Sequence, residues 1–521
     1  MKKWLLLYLL LPFVAFTQQM DMDLVPYKSS FSHFFQLQEQ SYSLDSLNTG
    51  CSTLQYHSFS SKGQFIKVNH QQFVTDYILF NINFDKFSQE GVFNRENLKL
   101  HNVSTNLLFN NKNQTYSAQL SLGYQKISTD ENGGLLNYAS RNFDDPLLYQ
   151  VNLLNAQNEA KNRNHKLFQK FKLTDKWTII NKFSILSHRK MYSDQLPNTG
   201  FYQNIYLDST LTYDSLSNIA LTNSFGVTYN DFTLSQLIHS RYAHIITIDS
   251  LDYDYGLSLN YFNDKKSLRF NTVLYKSNDL NLSLKKEFNF KLWNHTLSLD
   301  YDRSRVPILI NSYSSNHFRF NNDFNNIKTA KATYTVNHKN YSYKSILIHY
   351  SDYVYLDENS HYQQYQNAIL NWHNKWAVNL NWKKLHTSQT LEYQYSDNTF
   401  IMRFPEFNYT TSLWLESDLF GDNLNTQIGA DMNYFTSYYA KAYNPALAKF
   451  HLQDSQLIGD VPLLSAFLKL KVHNMSIDMR YRNITSLISA NADVYYLIPY
   501  YPNYPASFQL SVVWKLNNTS D

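Results

Sequence analysis

Cysteine is nearly absent from this chain. Cys51 stands alone, which excludes an internal disulfide and a thiolate metal cluster. Glycine is scarce, with 12 residues in 521, whereas soluble β-sandwich and propeller arrays use it freely in their turns. Beyond the N-terminus no apolar run reaches 18 residues, so helical membrane spans are excluded. The formal charge of +4 is mild for this length and does not suggest nucleic acid. The 17 histidines, among them His57, His70, His239, His244 and His317, form no H-E-x-x-H pattern and adjoin no nucleophile elbow. Asp144, Asp145, Asp252 and Asp254 fall in predicted loops without the spacing of a calcium loop. No catalytic residue, metal site or cofactor is expected, and an enzyme is not.

What the chain has in excess is aromatic residues, 42 Tyr and 35 Phe, together with a negative mean hydropathy. A transmembrane barrel reconciles the two, because only its outward face is apolar and aromatic girdles mark both interfaces. The last stretch shows the device most clearly. In Ser507–Leu516, Phe508, Leu510, Val512, Trp514 and Leu516 fall on one face of an extended strand, because successive side chains point to opposite sides. Ser507, Gln509, Ser511, Val513 and Lys515 fall on the other. The length suits one crossing of a bilayer by a tilted strand, and this has the form of a closing strand facing lipid.

The same alternation recurs upstream. Tyr116, Ala118, Leu120, Leu122 and Tyr124 alternate with polar residues, as do Trp376, Val378, Leu380 and Trp382, and Leu424, Thr426, Ile428, Ala430, Met432 and Tyr434. Asn- and Asp-bearing turns separate such segments. Connections at 175–176, 230–231, 421–422 and 473–474 are minimal, whereas 128–163, 189–217, 436–461 and 485–506 are long and polar. The expected class is all-β: a transmembrane antiparallel β-barrel of about 18–24 strands, even in number, with short periplasmic turns and long extracellular loops. Strand direction between about 338 and 400 does not follow from pattern alone.

Lys2 and Lys3, the apolar run Trp4–Phe16 and the polar exit at Thr17–Gln19 predict a signal peptide over 1–19. Residues 20–53 then form an N-terminal periplasmic or lumenal segment, and 54–521 the barrel. The expected location is the bacterial outer membrane.

Several stretches carry a resemblance: I-G-A-D-M-N-Y-F-T-S-Y-Y-A-K-A-Y-N-P-A-L at 428–447, F-L-K-L-K-V at 467–472, and the ending Y-Y-P-N-Y-P-A-S-F-Q-L-S-V-V-W-K-L. Q-E-G-V-F-N-R-E at 89–96, D-E-N-G-G-L at 130–135 and Y-S-S-N-H-F at 313–318 are similar too. Together they resemble the putative β-barrel porin family of bacterial outer membranes, with Gln509 and Ser511 where that family often has Arg and Gly. The resemblance implies the barrel, its location, passive transport, and assembly through the barrel-insertion machinery, which reads the last strand.

The expected function is a porin-like channel for passive diffusion of small polar solutes. Two alternatives stand beside it: a non-conducting barrel that anchors surface loops for binding or assembly, and an energy-coupled transporter. The last needs an N-terminal domain within the barrel, for which a β pattern starting by about residue 54 leaves no room. Period two assigns candidate pore-lining residues. Leu468, Leu470 and Val472 facing lipid place Lys469 and Lys471 inside. After His473–Asn474, the same logic places Asp478, Arg480 and Arg482 inside, with Lys515 on the last strand. That wall predicts a mild preference for anions, which Glu416, Asp418 and Asp431 can offset.

Overall fold

A computed structural model of the chain describes residues 50–136, 145–245, 248–263, 265–421, 423–488 and 496–517. The expected signal peptide and the segment from residue 20 through 49 lie outside the described residues. Among those described, 22 strands form one antiparallel sheet. The strands are β1 (Cys51–Phe59), β2 (Gly63–Thr75), β3 (Ile78–Gln89), β4 (Leu98–Asn110), β5 (Tyr116–Glu131), β6 (Ala156–Lys172), β7 (Trp177–Gln195), β8 (Leu211–Tyr229), β9 (Phe232–Ile245), β10 (Ile248–Asn263) and β11 (Leu268–Tyr275). They continue as β12 (Leu280–Phe290), β13 (Trp293–Ser304), β14 (Ile327–His338), β15 (Tyr341–Ser351), β16 (Ile369–Trp382), β17 (Leu385–Ser396), β18 (Phe407–Leu419), β19 (Leu424–Phe435), β20 (Leu463–Val472), β21 (Met475–Arg482) and β22 (Ser507–Asn517). β1 pairs with β22 from Cys51↔Asn517 to Ser58↔Leu510. That seam closes the sheet on itself and leaves no edge strand.

Directly paired residues of an antiparallel ladder share a face, so the register assigns inside and outside. Val512 lies opposite Tyr56 and Ile477, and Leu510 opposite Met479. Phe508, Trp514 and Leu516 of this row are exposed, as are Leu413, Leu415, Ile428, Trp372 and Trp376 on neighbouring strands. This is the outward, lipid-facing surface. The inward face is polar: Asn102 donates to Asp85 at 3.0 Å, Asn162 to Gln125 at 2.9 Å, and Ser511 meets His57 across the closing seam.

Connections alternate between two ends. The turn end carries 173–176, 230–231, 339–340, 383–384, 420–423 and 473–474; the loop end carries 132–155, 196–210, 305–326, 352–368, 436–462 and 483–506. The long connections expected at 128–163 and 189–217 are shorter than their sequence suggests. β5 runs to Glu131 and β6 opens at Ala156, while β7 runs to Gln195 and β8 opens at Leu211. These are strands of 16–19 residues. About 9–11 residues cross the hydrocarbon, so their far ends meet water on the outside and lose the apolar alternation that marks a strand in sequence. β1 opens at Cys51, a few residues ahead of the expected start. The ambiguous region 338–400 resolves into β15, β16 and β17 plus a small hairpin, Tyr353–Leu356 with Tyr362–Tyr365, inside one loop.

The outward register generates a prediction. Val512→Arg puts a charge on the lipid-facing row of the closing seam and should cost roughly 2–4 kcal/mol if that row lies near the bilayer midplane. Equilibrium urea unfolding in lipid vesicles measures it; a cost near zero would remove Val512 from the midplane.

Candidate functional site

Four loop-end connections carry small hairpins of their own: Ser312–Ser314 with Arg319–Asn321, Tyr353–Leu356 with Tyr362–Tyr365, Ala442–Asn444 with Lys449–His451, and Tyr496–Ile498 with Tyr501–Pro502. The third turns into the barrel. Its tip, A-Y-N-P-A-L-A at 442–448, is short-chained and apolar around Pro445, and every residue of it is buried. Ala442 and Ala448 retain 1% and 0% exposure.

The tip packs on the inner wall of β2–β7 and on neighbouring loops. Tyr443 and Ala448 pack with Phe65, Phe87, Leu100 and Ala160, inward residues of β2, β3, β4 and β6. Ala446 and Leu447 pack with Leu153, Tyr192, Tyr202 and Phe318. Polar bonds clamp it. Asn158 donates to both Glu131 Oε1 and the Pro445 carbonyl, each at 2.8 Å. Lys190 Nζ donates to the Ala446 carbonyl at 2.7 Å, and Tyr443 donates to Glu131 at 3.3 Å. Asn444 donates to Ser360 at 3.0 Å, tying this hairpin to the loop 352–368. Glu131, Asn158 and Lys190 are themselves buried. The charges are partnered, as buried charges must be.

The other loops lock onto this one. His317 stacks on Tyr202 with centroids 3.8 Å apart, and Tyr192 and Tyr202 share a hydroxyl–hydroxyl bond. The His317 Nδ1–H donates to the Asn204 carbonyl at 3.1 Å, and Thr212 donates to its Nε2 at 2.9 Å. Burial pushes the His317 pKa below the usual imidazole range, and does the same for His451 of the inward hairpin. In the last loop, Tyr504 donates to Glu96 at 3.2 Å, Tyr501 packs on Tyr443, and the Tyr500 carbonyl accepts from Leu135 at 3.0 Å. Tyr501 and Tyr504 therefore pack inward, while the Tyr500 side chain stays exposed. Tyr495 lies outside the described residues. Gly134, at φ +85°, leaves room for that contact, since an added Cβ would sit 2.7 Å from Tyr500 Cβ.

The register puts all six candidate pore-lining residues on the inward face. Lys469 pairs with Asp478 and Gln427, Lys471 with Ser476, Arg480 with Gln509, Arg482 with Ser507, and Lys515 with Thr53. Arg480 binds Asp431 and, at 3.4 Å, Asp478. Lys469 and Arg480 also flank the Phe467 ring at 4.8 and 5.1 Å. Gly429 clears the space that ring occupies. Arg480 is thus largely neutralised. The wall is a mesh of opposed charges more than a stripe of one sign.

The inward hairpin and its clasp of Glu131, Asn158 and Lys190 escape a residue-pattern reading. The three lie on strand ends without apolar alternation, and their partners are 256–312 positions away. The available signal was the resemblance itself: the segments 89–96, 130–135, 313–318 and 428–447 contribute Glu96, Glu131, His317 and Tyr443, all now found in this loop-end assembly.

Comparison with solved structures shows the fold. The FrpB iron transporter from Neisseria meningitidis superposes with a TM-score of 0.61 at 11% identity, covering 90% of this chain and 82% of that one. A ferric enterobactin receptor mutant from Pseudomonas aeruginosa gives 0.61 at 10%, covering 90% and 80%. The ferric preacinetobactin receptor from Acinetobacter baumannii gives 0.58 at 10%, again covering 90% and 80%. No curated protein matches the chain. The model of one family, described as putative porin, matches residues 13–518. The chain is a member of that putative porin family, a large β-barrel of the bacterial outer membrane.

Proposed function

We propose that the protein is a passive channel for small polar solutes, narrowed at its loop end by its own inward hairpin, with the loop end facing outward and the turn end facing the periplasm. One observation carries this reading: the hairpin 442–451 stands inside the lumen, clamped to the wall of β5–β7 and tied through Ser360 to the loop 352–368. A barrel of 22 strands encloses far more space than the 16–18 strands of an open porin, and selectivity then requires something to fill it. Below the hairpin the wall is polar and charged, as a water-filled path needs. Lys469, Lys471, Arg482 and Lys515 on one wall, with Lys170 and Lys182 on the inward faces of β6 and β7, support a mild preference for anions. Debye screening over roughly 8 Å keeps that preference small.

A second reading is a barrel that binds a larger solute at its loop end and does not conduct. The strand number and the likeness to ferric-siderophore receptors favour it. Planar-bilayer recording separates the two: steady conductance supports a channel, whereas silence from both the native protein and a variant lacking 442–451 overturns it.

Removing 442–451 should raise single-channel conductance, and an unchanged value would show that the hairpin is not the constriction. Lys190→Met removes the donor to the buried Ala446 carbonyl, which should loosen the hairpin by roughly 1–3 kcal/mol. Proteolysis of the 436–462 loop in the assembled protein measures this.

Acid should loosen the same assembly. His317 and His451 have folded pKa values below the unfolded value near 6.5, so the unfolded loops bind more protons. The stability contributed by the neutral rings is present above about pH 6.5 and is lost as pH falls toward the folded values. Loop proteolysis should therefore accelerate below that pH and be blunted in a His317→Gln, His451→Gln double variant. A pH-independent rate in the native protein would refute it.

A further inference from the structure

The outward face of β3–β7 carries a feature that a conducting pore does not need. Lys86 lies opposite His101, His101 opposite Lys126, Lys126 opposite Lys161, and Lys161 opposite Arg189. Four cations and His101 thus form one transverse row across five adjacent strands. The row is on the outside. Its neighbours in sequence, Phe87, Leu100, Ile127, Ala160 and Lys190, are the inward residues that hold the loop hairpin. Lys99 and Arg163 flank the row on the same face, and Lys86, Lys99, Arg163 and Arg189 are exposed.

Like charges directly opposite each other on a sheet are destabilising, so the row calls for a counter-charge. Among the described residues the protein supplies little. Glu159 bridges Lys126 and Lys161, at 2.7 Å to each. Asp130, farther toward the loops, is taken by Arg95 at 3.4 Å. Lys86, Lys99 and Lys126 all bear electrostatically on His101. Elsewhere the outward surface differs: on β9 and β10 it shows Tyr242, Leu251, Tyr253 and Tyr255.

Position completes the argument. Between the row and the turn end, the same face is apolar on three of these strands: Ile78, Phe80, Ile82 and Phe84 on β3, Val103, Leu107 and Phe109 on β4, and Leu120 and Leu122 on β5; on β6 Arg163, His165 and Gln169 interrupt it. Lys126 stands ten residues from Tyr116 at the turn end of β5, roughly 25 Å up a tilted strand and so at the upper edge of the hydrocarbon. A ligand there meets acyl chains below and the basic row at head-group level.

We propose that this face is a binding site for a phosphorylated lipid of the leaflet at the loop end, its acyl chains on the apolar band of β3–β5 and its phosphates on the row from Lys86 to Arg189. The shape of the site follows from barrel geometry, since neighbouring strands stand about 4.8 Å apart. Adjacent cations can then share one phosphate, and the row can span a lipid bearing two. The site does not depend on whether the lumen conducts.

The test uses the full-length protein in phosphatidylcholine nanodiscs containing either lipid A with both phosphates or the same lipid after enzymatic dephosphorylation, with retained lipid read by native mass spectrometry. Retention should require the phosphates. The variant Lys86→Ser, Arg163→Ser, Arg189→Ser leaves the Glu159 bridges intact and should weaken retention roughly a hundredfold, at about fivefold per basic side chain. The charge-conserving Lys86→Arg, Arg163→Lys, Arg189→Lys variant should keep it, with gel heat-modifiability confirming that both barrels are closed. Equal retention of dephosphorylated lipid, an unaffected triple-serine variant, or displacement of the lipid by inorganic phosphate would each overturn the proposal.

Discussion

Every backbone N–H and C=O within the hydrocarbon must find its partner inside the protein, because the bilayer offers none. No helix among the described residues is long and apolar enough to cross a membrane; a sheet that closes on itself meets the requirement, and the β1–β22 seam is where closure happens. Much else depends on that seam. It makes the inside and outside of each strand distinct, so period two becomes a division between lipid and lumen. It also forces the interior of a 22-stranded sheet to be wide, which turns the loops into candidates for filling it.

How the lumen is filled follows from where hydrophobic side chains can go. Toward lipid, apolar residues cover the outer face without cost. At the loop end the barrel's inner wall carries Phe65, Phe87 and Leu100, which would otherwise face water. The apolar tip 442–448 covers them, Asn158 and Lys190 donate to its Pro445 and Ala446 carbonyls, and Glu131 accepts from its Tyr443 hydroxyl. The outside of these same strands carries the basic row. Alternation thus assigns two different tasks to adjacent residues, a dry clamp for a loop within and a charged surface at the membrane edge without.

Much of this was legible in the residues. The closing strand, the tight turns at 230–231 and 473–474 and the inward placement of Lys469 to Lys515 all rest on local period-two patterning. Strand ends above the membrane were less legible. Asn158 and Lys190 stand among other polar residues in the chain, so alternation between polar and polar leaves no trace of which way they point. The anion-leaning stripe was legible as a set of side chains and not as a field, because Asp431, 49 positions from Arg480, joins it only through the pairing of β19 with β20 and β20 with β21.

By itself the sequence determined the class of fold, the lipid-facing rows and the alternation of short and long connections, since these depend on side-chain periodicity and turn chemistry that act within a few residues. The tertiary structure alone decided the strand number, the inward turn of hairpin 442–451, the partners of its buried charges and the alignment of Lys86, His101, Lys126, Lys161 and Arg189 into one row. Those depend on register. A slip of one residue between neighbouring strands would move each of these side chains to the other face, and register is set by contacts between residues far apart in the chain.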